Sequence, residues 1–195
     1  MPSLILASSS PRRKEILEAL GVEFTVRSVA VDESVRKGET AADMVLRLAV
    51  AKAGAIAGEP QQIIIGADTA VVLGQEIFGK PADADDALRM LSRLSGQTHQ
   101  VMTGLAVAGF QGVKTVLSVT DVRFRKITQD EALLYWQSGE PRDKAGAYAI
   151  QGRGGVFVEA IMGSYTGVVG LPVFETACLL REAGLDTLAK DRGSH

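Results

Sequence analysis

The sequence predicts a mixed α/β domain, with antiparallel and parallel strands sharing one twisted sheet flanked by helices. Three observations predict it. Helix-like and strand-like stretches interleave along the chain, the pattern of helices packed on a sheet. Residues 97–109 and 113–125 both alternate in polarity and are joined by "FQG", which reads as a long antiparallel hairpin and argues against a doubly wound, all-parallel sheet. The 195 residues, 46% hydrophobic and 23% charged, suffice for one domain with a sizeable core, expected over 1–188 with a polar tail at 189–195.

The elements follow in order. In "LILASSSPRRKEIL" the apolar start reads as a buried strand over 3–7. A helix over 11–20 comes next, with Pro11 at its first position and Ser10 as its cap. A strand is expected at 22–29, then a polar loop, then a long helix from Thr40 to about Gly58. Strands at 62–66 and 69–73 precede a short one at 76–78. In "DADDALRMLSRL" Asp83 caps a helix, acids fill its first turn, and Ala84, Ala87, Leu88, Leu91 and Leu94 form the apolar stripe. "TQDEALLYW" opens on a capping box. A glycine-rich segment, a strand at 155–162 and a helix from about Val173 to Ala183 complete the order.

Composition excludes several classes. A net charge of −2 and 5% aromatic residues give neither the basic surface nor the stacking platforms of a nucleic-acid binder. The single cysteine, Cys178, allows no disulfide framework and fits a reducing, cytoplasmic setting. No signal peptide or membrane span is expected. The only histidines are His99, inside the hairpin, and His195, in the tail, which disfavours Ser-His-Asp, Cys-His and His/Cys-zinc chemistry. No phosphate-binding GxxxxGK[ST] or GxGxxG fingerprint occurs in the required context. Carboxylates, lysines and arginines remain, the groups used for phosphate chemistry with a hard divalent ion.

Four stretches could carry that chemistry, and each has a plainer reading beside it. The strand–"SSSPRR"–helix turn presents free backbone N–H groups, hydroxyls and the guanidinium groups of Arg12 and Arg13 at a helix start, where the dipole is already positive. That arrangement suits a polyanion, or it is a capped surface helix with solvated arginines. Asp68 sits in "IIIGADTAVVL" between apolar strand segments, so it either meets a cation or metal or is a turn aspartate bonded to nearby backbone. On a helical wheel Asp43 and Arg47 share one side, while Lys52 falls opposite among Val45, Leu48, Ala49 and Ile56. Lys52 therefore either snorkels outward or points into a cleft. Lys80, in "FGKPAD", reads alone as a solvated loop lysine. "DKAGAYAIQGRGG", 143–155, is either a flexible connector or a loop approaching a ligand, with Gln151 able to read a base edge.

Taken together, these segments resemble the Maf family of nucleoside triphosphate pyrophosphatases. "LILASSSPRRKEIL", "VDES", "AKA", "GADTAVVL", "GKPAD", "LSGQTHQVMTG", "DKAGAYAIQGRGG" and "GSYTGVVGLP" occur in the family's order across about residues 3 to 181. "KAGAYAIQG" is similar to the family's dTTP/UTP pyrophosphatase branch. The resemblance implies the Maf/ITPase-like fold, with two lobes around a deep cleft, and cleavage of a triphosphate between its α- and β-phosphates. It implies Asp68 as the proton acceptor that activates water, and Glu33 with Asp68 as ligands of a divalent cation, Mg²⁺ or Mn²⁺. Ser8, Arg13, Lys52 and Lys80 would surround the phosphates, while Arg12, Thr69 and Gln151 match positions linked to base selection. A homodimer is also implied. The family's association with septum formation leaves a second reading, a nucleotide-binding regulator of cell division.

Overall fold

A computed structural model describes residues 3–56 and 61–188. In order these form β1 (Ser3–Leu6), α1 (Pro11–Ala19), β2 (Phe24–Val26), α2 (Ala41–Gly54), β3 (Gln62–Leu73), β4 (Glu76–Phe78), α3 (Ala84–Leu94), β5 (Thr98–Gly109), β6 (Gly112–Phe124), α4 (Gln129–Gln137), β7 (Val158–Met162), α5 (Tyr165–Val169) and α6 (Val173–Glu182). The strands make one mixed sheet in the order β2-β1-β3-β5-β6-β7, with β4 also paired to β3. Only β1 pairs in parallel, with β2 and β3; the remaining pairings are antiparallel. The mixed sheet flanked by helices is thus as the sequence predicts, and so is the hairpin of β5 and β6.

Several boundaries move for identifiable reasons. The two strands expected at 62–66 and 69–73 are one continuous strand, because Asp68 stays in register opposite Gly104 rather than turning the chain. Helix α2 stops at Gly54, a poor helix former, before the expected end at about Gly58, which lies outside the described residues, as does the 189–195 tail. Strand β2 keeps only the three residues that pair with β1. Arg153–Phe157 forms a 3₁₀ turn ahead of β7, and the short α5 was not expected. Asp83 and Thr128 cap as predicted, by accepting from the Asp86 and Glu131 backbone N–H groups. Ser10 occupies the cap position of α1 without a capping bond, and its N–H instead donates to Ser8 Oγ at 3.2 Å.

The apolar core divides along the long strands. At one end of β3 and β5, Ile63, Ile65, Leu105 and Val107 pack against Leu17 of α1 and Leu180 of α6. At the other end Val71, Val101, Val122 and Phe124 pack with Phe78, Leu91 and Tyr135. Helix α2 lies on the opposite face, with Val45, Leu48 and Ala49 over Ile64, Ala70 and Val72. Two lobes result, with residues 66–70 of β3 running between them. On one edge β3 pairs with β1 through Ile65 and with β4 only from Val71. Among the described residues no strand covers that edge at 66–70, so the sheet is open there.

His99 belongs to the second lobe. It is 1% exposed, and its Nε2 lies 2.9 Å from the Tyr148 hydroxyl. Burial pushes its pKa down to about 4. A histidine buried neutral destabilises the fold on acidification, because the unfolded chain takes up a proton the folded chain refuses. The contribution is full above about pH 6.5 and is lost as pH falls toward the folded value. Carboxyls held low by arginine, such as Glu39 and Glu131 at about 2, act mainly below the ordinary carboxylate value of about 4.5, under that window. Stability is therefore expected to fall by about 2 kcal/mol between about pH 7 and pH 5. His99→Leu should flatten that dependence in denaturant titrations at the two pH values, and an unchanged slope would refute the assignment.

Candidate functional site

At the opening in the sheet six of the residues picked out by the sequence meet: Glu33, Lys52 and Asp68, and Ser8, Arg13 and Thr69. Alternation along β3 puts Asp68 on the face covered by α2 and Thr69 on the opposite face. Two groups form, one on each side of the strand.

On the α2 side, Lys52 is 8% exposed. It points inward instead of snorkelling, and its Nζ donates to Asp68 Oδ1 at 2.7 Å and lies 2.6 Å from Glu33 Oε1. One ammonium thus bridges two carboxylates from distant segments and keeps a third N–H for another acceptor. Glu33 is held below the usual carboxylate range, first by the Lys52 hydrogen bond and further by the charges of Lys80 and Arg13. Lys80 itself is exposed, and this field at Glu33 is what ties it to the group.

The opposite side is built around Arg13. Its Nε donates to the Gly170 carbonyl at 2.8 Å, Nη1 to Ser8 Oγ at 3.2 Å and Nη2 to Thr69 Oγ1 at 3.2 Å. Burial pushes this guanidinium below its ordinary value, and Asp68 is the main opposing charge. Three of its five N–H bonds are used, so two can meet a ligand. Thr103 Oγ1 donates to the Gly167 carbonyl at 2.8 Å, which spends its only proton. Thr69 must then be the donor in its 2.9 Å contact with Thr103, which leaves the Thr69 oxygen to accept from Arg13. This directed chain, from Arg13 through Thr69 and Thr103 to Gly167, orients the arginine. Thr103 and the Gly167 and Gly170 carbonyls carried no signal in the sequence, since threonine in a strand and glycine in a turn are ordinary.

Arg12 is half-buried on the same helical turn, where burial lowers its pKa and Asp143 of the glycine-rich segment most opposes that. Gln151 is exposed and makes no hydrogen bond to the other predicted residues. Its segment is not a loose connector. The Tyr135 hydroxyl donates to Glu140 Oε1 at 2.6 Å and accepts from the Ala149 N–H at 3.0 Å. Glu140 also accepts from the N–H groups of Arg153 and Gly154. Tyr135→Phe leaves the buried Ala149 N–H unpaired and deprives Glu140 of a donor. We expect a loss of about 2 kcal/mol, from the cost of an unsatisfied buried group. Amide exchange should quicken across 145–154; a variant as stable as the parent would show the network to be dispensable.

The described residues hold no group of three or more His, Cys, Asp or Glu placed to bind a metal. Two carboxylates meeting at one ammonium are nevertheless a hard-oxygen pair, the number Mg²⁺ takes when phosphate oxygens and water complete its shell. No helix among the described residues is long and apolar enough to cross a membrane.

The chain is 52% identical over 186 residues to a dTTP/UTP pyrophosphatase of Hahella chejuensis, covering 93% of this chain and 92% of that relative. It is 52% identical over 187 residues to a dTTP/UTP pyrophosphatase of Anaeromyxobacter dehalogenans, covering 94% and 95%. The solved Staphylococcus aureus Ham1 protein overlays in part, with a TM-score of 0.45, 14% identity, and 63% of this chain and 71% of that one covered. The family model described as "Maf-like protein" matches residues 3–183, a span that takes in every strand of the sheet and every residue of the two polar groups. The chain therefore belongs to the Maf family.

Proposed function

We propose that this protein is a nucleoside triphosphate pyrophosphatase that hydrolyses dTTP and UTP to the monophosphate and pyrophosphate. The observation that carries the reading is Lys52 held between Asp68 and Glu33 at an opening lined by further cations. The names of the relatives at about half identity support the substrate class.

The chemistry follows from the residues. A triphosphate is a polyanion, and its cleavage needs charge neutralisation and an oriented water more than a covalent intermediate. Ser8, Arg13, Lys52 and Lys80 would neutralise and hold the phosphates: Arg13 has two unused N–H bonds, Lys52 one, and Ser8 its hydroxyl proton. Asp68 takes the proton from the attacking water as the new P–O bond forms and the α–β bridge bond breaks. The electron pair of that bond leaves with pyrophosphate. Glu33 and Asp68 would hold the divalent cation, Mg²⁺ or Mn²⁺, which when bound offsets charge on the leaving group. Arg12, Thr69 and Gln151 would face the nucleoside. Thymine and uracil share one hydrogen-bonding edge and differ by a methyl, worth about 1 kcal/mol in an apolar pocket, so use of both is physically reasonable. A free nucleotide pool as substrate makes the cytoplasm the working compartment.

The test is a panel of nucleoside triphosphates with and without Mg²⁺. Pyrophosphate release is expected from dTTP and UTP above the others, and only with the ion. Release from no triphosphate would overturn the reading.

A further inference from the structure

Building on the pyrophosphatase reading above, we propose that Arg47 is a positioning residue that, with Glu39, clamps the 32–39 segment so that Glu33 is delivered to Lys52 and Asp68. Residues 27–40 contain neither helix nor strand. Glu33 has a 55% exposed side chain, so packing does not fix it. Side chains do the holding. Arg47 Nε donates to Glu39 Oε1 at 2.5 Å and Nη2 to Glu39 Oε2 at 2.8 Å, a two-pronged guanidinium–carboxylate pair. Nη2 also donates to the Ser34 carbonyl at 3.0 Å, on the residue next to Glu33. Glu39 Oε2 accepts from the Arg36 N–H at 3.0 Å, and Asp32 Oδ1 from the Ser34 N–H at 3.0 Å.

This pair is unlike an ordinary surface bridge, because the two side chains are only 19% and 8% exposed. Its location also matters. Arg47 and Lys52 both belong to α2, five residues apart and on different faces. The same helix therefore carries the anchor of the segment and the partner of the acid that the segment presents. Losing the anchor should leave the helix and sheet intact while letting Glu33 wander, and small misplacements of a working group cost rate steeply.

The test compares the full chain with Arg47→Ala, Arg47→Lys, Glu33→Gln and the Arg47→Ala/Glu33→Gln double variant. With dTTP, Arg47→Ala is expected to lower kcat about 10- to 100-fold with KM changed less than about 3-fold. Arg47→Lys, which keeps the charge but not the fork, should fall between. In the Glu33→Gln background Arg47→Ala should cost less than about 2-fold, because its effect passes through Glu33. Independently of turnover, amide exchange of 32–39 should quicken about 10-fold in Arg47→Ala while α3 is unchanged. An undiminished loss in the Glu33→Gln background, exchange that quickens in α3 as well, or a parental kcat in Arg47→Ala overturns the proposal. If the parent itself releases no pyrophosphate, the pyrophosphatase reading fails, and unchanged exchange at 32–39 would overturn the clamp separately.

Discussion

Asp68→Asn is expected to lower pyrophosphate release from dTTP by about 10³-fold or more while leaving the protein folded. The substitution is isosteric, and the side chain, 14% exposed, lies at an opening and not inside a sealed core. Lys52 retains its contact with Glu33 and can donate to the amide oxygen, so the change in stability should stay within about 1 kcal/mol. The amide cannot accept the water's proton, and the loss of a general base costs about 10²- to 10⁴-fold. It also removes one of the two carboxylates proposed to hold the divalent ion, which would add to the deficit. Steady-state pyrophosphate release and denaturant unfolding, measured on the same preparation, separate the two effects. Near-parental turnover would exclude Asp68 from the chemistry.

Gly66→Ala should be the most damaging change to the fold, costing more than about 3 kcal/mol and abolishing activity as a consequence. A Cβ at this position would lie 2.2 Å from the Ala49 carbonyl oxygen and 2.7 Å from the Ala53 nitrogen. Both are backbone atoms of α2, so no rotamer change relieves the clash and the helix must move as a body. Gly104, opposite Asp68 in the ladder, meets the same helix, with a Cβ placed 2.4 Å from the Val45 carbonyl oxygen. The two glycines let α2 lie directly on β3 and β5, and that contact sets the reach from Lys52 to Asp68. Gly54→Ala is the control: a Cβ there has nothing within 4 Å among the described residues, and alanine should be neutral or stabilising in the last turn of the helix. The check is the denaturation midpoint of the two variants. Parental stability in Gly66→Ala would show that α2 can shift at little cost.

What could be read in advance follows from the range of the physics involved. Thr128 and Asp83 announce helix starts because a cap acts within three residues. The β5–β6 hairpin is visible because alternation and a glycine turn are local. Lys52 stands out because a lysine on an apolar face breaks a short-range pattern. Two readings remained open at Lys52 and Asp68, since a charge in an apolar run does not name its partner. The structure settles both: each is the other's partner, across 16 residues of sequence. Asp68 is also no turn residue; its ion pair lets it remain in the strand, which is why two expected strands are one.

Periodicity, capping and composition are properties of neighbours, and they suffice for the fold class, the order of the elements and the residue types proposed for phosphate chemistry. How those residues are arranged comes from long-range contacts: the opening between β1 and β4, Lys52 shared by two carboxylates, Arg13 oriented through Thr69 and Thr103, and Arg47 bonded to the loop of Glu33. Each of these depends on contacts between distant segments, and the backbone glycines that bring α2 against the sheet set the distances. Such contacts leave no periodic trace in a chain, because a hydrogen bond constrains its two ends and not the residues between them.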